Sequence, residues 1–67
     1  MSARLERLIK ITDALRFEDL TARDVGHRVG ISFGQAFVDL RYLRRHGFVH
    51  RVEKVGDTVI WGYGKEK

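Results

Sequence analysis

The spacing of apolar residues changes its period twice along the chain, which favours three helical segments followed by a β-hairpin. In the first segment, residues recur at the i, i+3, i+4 and i+7 positions of an amphipathic helix, namely Leu5, Leu8, Ile9, Thr12 and Leu15. Ser2 is placed to cap the first turn, so we predict a helix over residues 3–16. No internal repeat or linker interrupts the pattern, and residues 1–67 are predicted to form a single domain.

A short second helix follows after a connector. Thr21 stands three residues before Asp24, which is the spacing of a capping box, and this pair predicts a helix over residues 22–29. Gly30 is predicted to end that helix in the left-handed region, where glycine carries no steric penalty.

The third helix is predicted over residues 33–46, with Ser32 as its N-cap and Gly47 as its stop. Three of its apolar residues fall within about 40° of one another on a helical wheel and are predicted to face the core. They are Ala36, Leu40 and Leu43. The opposite face presents Gly34, Val38, Arg41, Tyr42 and Arg45.

Beyond Phe48 the spacing shifts toward that of β-strands, which predicts a hairpin over residues 48–63 and an α+β fold. Gly56-Asp57 forms its two-residue turn, of type II′ because glycine comes first. The second strand is predicted to carry structural aromatic residues that pack in the core, Trp61 opposite Val52 and Tyr63 opposite His50.

Length and composition exclude several classes of function. A chain of 67 residues has too thin a core to enclose a substrate pocket, so no catalytic activity is expected. The absence of cysteine excludes disulfides and thiolate zinc sites, which favours an intracellular, cytoplasmic protein. The three histidines do not form a helical pair, so we expect neither metal nor cofactor.

Two further features of the composition bear on membrane association and on the kind of source organism. No apolar run approaches the ~18 residues of a membrane span, and the N-terminus lacks the pattern of a signal peptide, so no membrane association is expected. Asparagine is absent and Gln35 is the single glutamine, a depletion typical of thermophile proteins.

Positive charge is concentrated in one stretch of the chain. Nine of the thirteen cationic residues are arginine, whose planar guanidinium suits phosphates and base edges. Five cations crowd a segment that holds only Glu53 as an anion, and they are Arg41, Arg44, Arg45, Arg51 and Lys54. This distribution indicates a polyanionic partner.

Three short motifs identify a family resemblance. They are Leu-Thr at 20–21 before the second helix, Gly-Ile-Ser at 30–32 before the third, and Gly-Phe-Val at 47–49 after it. Together with the order of elements over residues 5–63, they resemble the winged helix-turn-helix superfamily, in particular prokaryotic and archaeal regulators of the MarR, ArsR and Lrp kind. The resemblance implies a small prokaryotic, archaeal or viral transcription regulator that binds double-stranded DNA. One departure is Gly26, which stands where these regulators usually have alanine.

In such a fold the third helix would enter the major groove, which is about 12 Å wide, and the hairpin, or wing, would follow the flanking backbone. Gln35 is placed to pair with adenine, and Arg41 and Arg45 to reach guanine edges or phosphates. Arg44 lies to one side and is predicted to contact phosphate. The predicted DNA-contacting residues are Ser32, Gly34, Gln35, Val38, Arg41, Tyr42, Arg44, Arg45, Arg51 and Lys54.

Other interpretations remain open at this stage. Phe33, Phe37 and Val38 place apolar groups near a surface where DNA-binding regulators carry mostly polar residues, and the chain is alternatively a protein-binding module that uses these three. Phe37 is expected at the rim of the core beneath the hairpin, and Val38 against either a thymine methyl group or a protein. RNA binding is less favoured, because no exposed aromatic platform for stacking is evident in the sequence.

The first helix also suggests a homodimer. Its apolar residues span an arc of about 160°, which is wider than one intramolecular contact usually needs. Ile11 is the surplus residue and the expected dimer contact. Because only residues 64–67 follow the hairpin, we expect a dimer to use the first helix or the wing.

Overall fold

The fold is described by a computed structural model over residues 3–65, so the predicted Ser2 cap lies outside the described residues. Its elements are α1 (Ala3–Phe17), β1 (Leu20–Thr21), α2 (Ala22–Val29), α3 (Phe33–Arg45), β2 (Val49–Val55) and β3 (Thr58–Tyr63). The strands form one antiparallel sheet in the order β1-β3-β2. Three helices followed by a β-hairpin confirm the predicted α+β architecture.

The buried side of α1 differs from the predicted one. Leu8, Ile11 and Leu15 are buried, whereas Leu5 and Ile9 are 54% and 50% exposed. The prediction that Ile11 is a surplus residue for a dimer contact is therefore wrong, because its side chain is fully buried at 0% exposure. Two apolar stripes overlap on this helix, and contact with the remaining core selects the one at i, i+3 and i+7.

Helix α2 begins and ends as predicted. The Thr21 hydroxyl accepts a hydrogen bond from the Asp24 backbone N–H at 3.2 Å, and Gly30 adopts a φ of 81°. The departure at Gly26 has a steric cause, since a Cβ atom there would lie 2.8 Å from the backbone oxygen of Ile31. A backbone oxygen cannot swing away as a side chain can, so glycine permits this close turn between α2 and α3.

Helix α3 is capped at both ends. The Ser32 hydroxyl accepts a hydrogen bond from the Gln35 backbone N–H at 3.1 Å. The helix ends at Arg45, one residue before the predicted boundary, and Gly47 has a φ of 81°. The Gly47 N–H donates to the Arg44 carbonyl at 3.0 Å and so satisfies one of the last carbonyls of the helix.

The sheet contains one strand that the sequence did not predict. The connector after α1 ends in β1, whose Leu20 and Thr21 pair with Trp61 and Ile60 of β3. A strand of two residues has no periodicity of its own, and only its pairing with β3 defines it. This pairing ties the start of α2 to the hairpin.

The hairpin register is the predicted one near the turn and shifts by one residue further along. A β-bulge between Arg51 and Glu53 adds Val52 to β2, and this extra residue causes the shift. Trp61 is 2% exposed, as core packing requires, whereas Tyr63 is 46% exposed and the prediction that it packs in the core is wrong. The observed pairs are Trp61 with Arg51 and Tyr63 with Val49, in place of Val52 and His50.

The core lies between the helices and one face of the sheet. Its members are Leu8, Ile11, Leu15, Leu20, Ala22, Val25, Ala36, Leu40, Leu43, Val49 and Trp61. Phe37 is 38% exposed and its ring meets that of Trp61 edge-on at 6.5 Å, which confirms its position at the rim beneath the hairpin. Across residues 3–65, the helices are too short or too polar to traverse a bilayer.

Candidate nucleic-acid interface

Helix α3 presents one face to the core and the opposite face to solvent. Ala36 and Leu40 are fully buried and Leu43 nearly so, as predicted. About 180° away on the helix lie Gly34, Val38, Arg41 and Arg45, all exposed. The core stripe therefore fixes which side of α3 faces outward.

The edge of α3 next to α1 is held by polar contacts. Arg7 of α1 donates two hydrogen bonds to the Asp39 carboxylate, from Nε at 2.5 Å and from Nη2 at 3.3 Å. Asp39 is 2% exposed. The hydrogen bond to Asp39, helped by the carboxylate charge and opposed by desolvation, raises the pKa of the Arg7 guanidinium. This ion pair joins two helices and leaves no free negative charge on α3.

Gln35 belongs to the same polar cluster. Its Nε2 donates a hydrogen bond to Oδ1 of Asp39 at 2.9 Å. One N–H of the amide is therefore engaged with Asp39, and the amide oxygen and the second N–H are the groups left for two-point pairing with adenine.

The edge of α3 next to the hairpin is aromatic. The rings of Phe33 and Phe37 are stacked at 6.4 Å, and Phe37 in turn meets Trp61. The Arg41 guanidinium lies 5.8 Å from the centre of the Phe37 ring, within cation–π range. Phe33 and Val38 are 59% and 60% exposed. The outward face thus combines a restrained arginine with accessible apolar groups.

A groove of about 1020 Å³ runs between the C-terminal half of α3 and the start of β2. None of the described residues that line it is acidic. The basic and titratable residues in its lining are Arg41, Arg44, Arg45, His46, His50 and Lys65.

A third part of this surface comes from α1, which the sequence pattern did not predict. The guanidinium of Arg4 lies 4.3 Å above the Tyr42 ring, and the Tyr42 and His46 rings are 4.4 Å apart. Arg4 and Tyr42 are 38 residues apart in the sequence, so no local pattern could have paired them.

The bulge in β2 aligns two cations of the hairpin. Arg51 pairs with Trp61 and Lys54 pairs with Val59, and these two partners alternate on the same face of β3. In a regular strand, residues three apart lie on opposite faces, but the extra Val52 brings Arg51 and Lys54 to the same face. Both are exposed, and the face they share is the one that packs against α3.

The predicted cations carry uncompensated charge. Within residues 3–65 the ion pairs are Arg7–Asp39, Arg16–Asp13 and Arg28–Glu18. Thus Arg41, Arg44, Arg45, Arg51 and Lys54 all lack an acidic partner in the described part of the chain. In the same range, no three His, Cys, Asp or Glu side chains converge in a way that would hold a metal ion.

Comparison with known proteins identifies the fold. The sequence matches no protein-family model and no curated protein. Among solved structures, HlyU from Vibrio cholerae N16961 superposes with a TM-score of 0.79 at 27% identity, over 90% of this chain and 64% of that one. The transcriptional regulator HlyU from Vibrio vulnificus CMCP6 superposes with a TM-score of 0.80 at 26% identity, over 91% of this chain and 62% of that one.

A third similar structure is the homodimeric winged helix-turn-helix DNA-binding domain of Mb0332 from Mycobacterium bovis, a possible ArsR-family transcriptional regulator. It superposes with a TM-score of 0.79 at 19% identity, over 87% of this chain and 53% of that one. The present chain therefore spans between half and two thirds of the length of the chains it resembles. It has a winged helix-turn-helix fold, similar to that of ArsR-family and HlyU regulators.

Proposed function

We propose that this protein is a DNA-binding transcription regulator that inserts α3 into the major groove and lays the β2–β3 wing along the flanking backbone. The observation that carries the proposal is a set of cations on the outward face of α3 and on the side of the wing facing it, none of which has an acidic partner among residues 3–65. Counterion release favours binding of such a surface to a polyanion. The proposed role is binding in the cytoplasm, without catalysis or a cofactor.

The proposal divides the contacts between bases and backbone. Val38 and Arg41 project from the middle of the outward face, which suits a thymine methyl group and a guanine edge. Arg45 lies on the same face, toward the C-terminal end of α3, and is a further proposed DNA contact. The remaining proposed contacts are Ser32, Gly34, Gln35 and Tyr42 along α3, and Arg44, Arg51 and Lys54 to phosphates.

Selection of bound duplexes from a random pool tests this proposal. We expect enrichment of a short motif, and we expect replacement of its guanines by 7-deazaguanine to weaken binding, because N7 is accessible only from the major groove. Insensitivity to 7-deazaguanine and loss of binding on minor-groove modification would contradict the placement of α3. Single-stranded RNA should compete poorly with the selected duplex.

We also propose that the protein forms a homodimer through α1. The Mb0332 domain is described as homodimeric, and Ile9 of the present chain is half exposed on α1 beside Leu5. An apolar ridge of this kind suits a two-fold contact. Ile9→Glu should yield a folded monomer in sedimentation analysis, whereas Lys10→Glu, which places the same side chain one residue further along, should remain dimeric. A monomeric wild type at high concentration would refute this proposal.

The second candidate function is binding of a protein partner through Phe33, Phe37 and Val38. The exposure of Phe33 and Val38 favours it, because large apolar side chains clustered on a surface often mark an interface. Such a contact would depend weakly on salt, whereas DNA binding would depend strongly on it. Val38→Ser would abolish protein binding while leaving non-specific DNA affinity in place.

A further inference from the structure

The first turn of α1 extends beyond the hydrophobic core and lies over α3. Arg4 continues the buried stripe of Leu8 and Ile11 at spacings of i, i+4 and i+7, yet Arg4 itself is exposed. Its guanidinium lies 4.3 Å above the Tyr42 ring. A guanidinium over an aromatic face is attracted by the ring and restricted in its motion, so the core stripe and Tyr42 together fix where this charge lies.

The charge of Arg4 remains available to a ligand. Arg4 takes part in no ion pair within residues 3–65. Tyr42 is 37% exposed, lines the basic groove, and its ring centre lies 4.4 Å from that of His46. A cation held on an aromatic platform at the edge of a basic groove can donate hydrogen bonds to an anion without first giving up a carboxylate.

Arg4 lies on the flank of α3 away from the contact between Phe37 and Trp61. Around the helix axis, Tyr42 is about 140° from Phe37, whose ring packs against Trp61 of the hairpin. A helix in the major groove has a sugar-phosphate backbone on each side. The wing provides Arg51 and Lys54 for one of these backbones, and the opposite one faces the edge of α3 that carries Tyr42.

We infer that Arg4, seated on Tyr42, binds a DNA phosphate on the flank of α3 opposite the wing. This inference rests on the proposed DNA binding and adds α1 to the interface. The two backbones that border the major groove are then contacted by two different elements, the wing and α1, with α3 between them. Tyr42 positions the guanidinium, in addition to its own proposed contact with DNA.

Matched charge removals on one helix test the inference. Arg4→Gln should reduce the magnitude of the slope of log K against log salt by about 0.9, the value for one phosphate contact. Lys10→Gln removes the same charge from an exposed position about 130° around α1 from the buried stripe, and it should leave the slope unchanged. Tyr42→Phe keeps a ring beneath the guanidinium and should keep the Arg4 contribution to the salt slope, whereas Tyr42→Leu should lose part of that contribution.

A scan of single methylphosphonate substitutions locates the contact. Neutralising one phosphate on the backbone away from the wing should weaken binding of the wild type and leave binding of Arg4→Gln unaffected. Equal slopes for Arg4→Gln and Lys10→Gln, or no phosphate whose effect depends on Arg4, would overturn the inference while leaving the proposed function intact. A wild type that binds duplex DNA without salt dependence would overturn both.

Discussion

The two flanks of α3 are built from different chemistry. On the flank toward the hairpin, Phe37 packs its ring against the buried Trp61. On the flank toward α1, Asp39 accepts hydrogen bonds from Arg7, and Tyr42 carries the guanidinium of Arg4. Apolar packing is not directional, whereas a two-point hydrogen-bonded ion pair fixes both distance and angle. We therefore expect the aromatic flank to contribute more to stability, and the polar flank to fix the position of α3 relative to α1.

The largest expected effect comes from the aromatic flank. Trp61→Ala should lower the free energy of unfolding by about 3–5 kcal/mol, because it opens a cavity between α3 and the sheet. For a chain of 67 residues this is a large part of the total stability, and urea denaturation followed by circular dichroism measures it.

Trp61→Phe is the matched control for that change. It keeps an aromatic ring against Phe37 and removes the indole N–H, which is buried without a hydrogen-bond partner among the described residues. We expect a much smaller loss of stability than for alanine. Equal losses for alanine and phenylalanine would show that ring packing is not what stabilises this flank.

The polar flank should respond to removal of a charge where the aromatic flank has none to lose. Asp39→Asn removes the charge opposite Arg7, and we expect a smaller loss of stability than for Trp61→Ala, because the amide oxygen can still accept a hydrogen bond from Arg7. Asp13→Asn, at an exposed carboxylate 3.9 Å from Arg16, should have little effect. A loss for Asp39→Asn no larger than that for Asp13→Asn would remove the contrast between the flanks.

Arg41 lies between the flanks and tests base recognition. Arg41→Ala should cost about 1–3 kcal/mol on the preferred duplex if a bidentate contact to guanine is lost, and less on random DNA. Titration of one preferred and one scrambled duplex measures the difference. Equal losses on both would place Arg41 on phosphate instead.

The smallest expected effects lie on the wing. Arg51→Ala and Lys54→Ala should each weaken binding to all sequences alike and reduce the salt slope by about one unit, because both are proposed to contact phosphate. Because both side chains are exposed, we expect neither substitution to unfold the domain. A change of sequence preference in either variant would place that side chain in a groove.

Much of the fold could be predicted from local sequence, because the residues that begin and end the helices act through local contacts. Thr21, Gly30, Ser32 and Gly47 each mark a helix end through contacts within a few residues. The buried stripe of α1 could not be predicted in the same way. Leu5 and Ile9 fit a helical period as well as Ile11 does, and only tertiary contacts decide which of them is buried.

The candidate site was only partly accessible from sequence. The cations of α3 and the wing stand out in the composition, but the bulge at Val52 that aligns Arg51 with Lys54 has no signature in the apolar pattern. The contacts from Arg7 to Asp39 and from Arg4 to Tyr42 join residues more than thirty positions apart. A local signal for the first of these contacts does exist, namely a lone carboxylate on an otherwise basic helix, four residues after its glutamine.

The salt dependence of wild-type affinity for duplex DNA tests the central claim most directly. If Arg44, Arg51 and Lys54, together with Arg4 of α1, each meet a phosphate, log K should fall with log salt at a slope of about −3 to −4. The measurement needs the selected duplex and a scrambled one, each titrated at several salt concentrations. Steep and similar slopes on both, with tighter binding to the selected duplex, are the predicted result. A slope near zero on both duplexes would contradict the account.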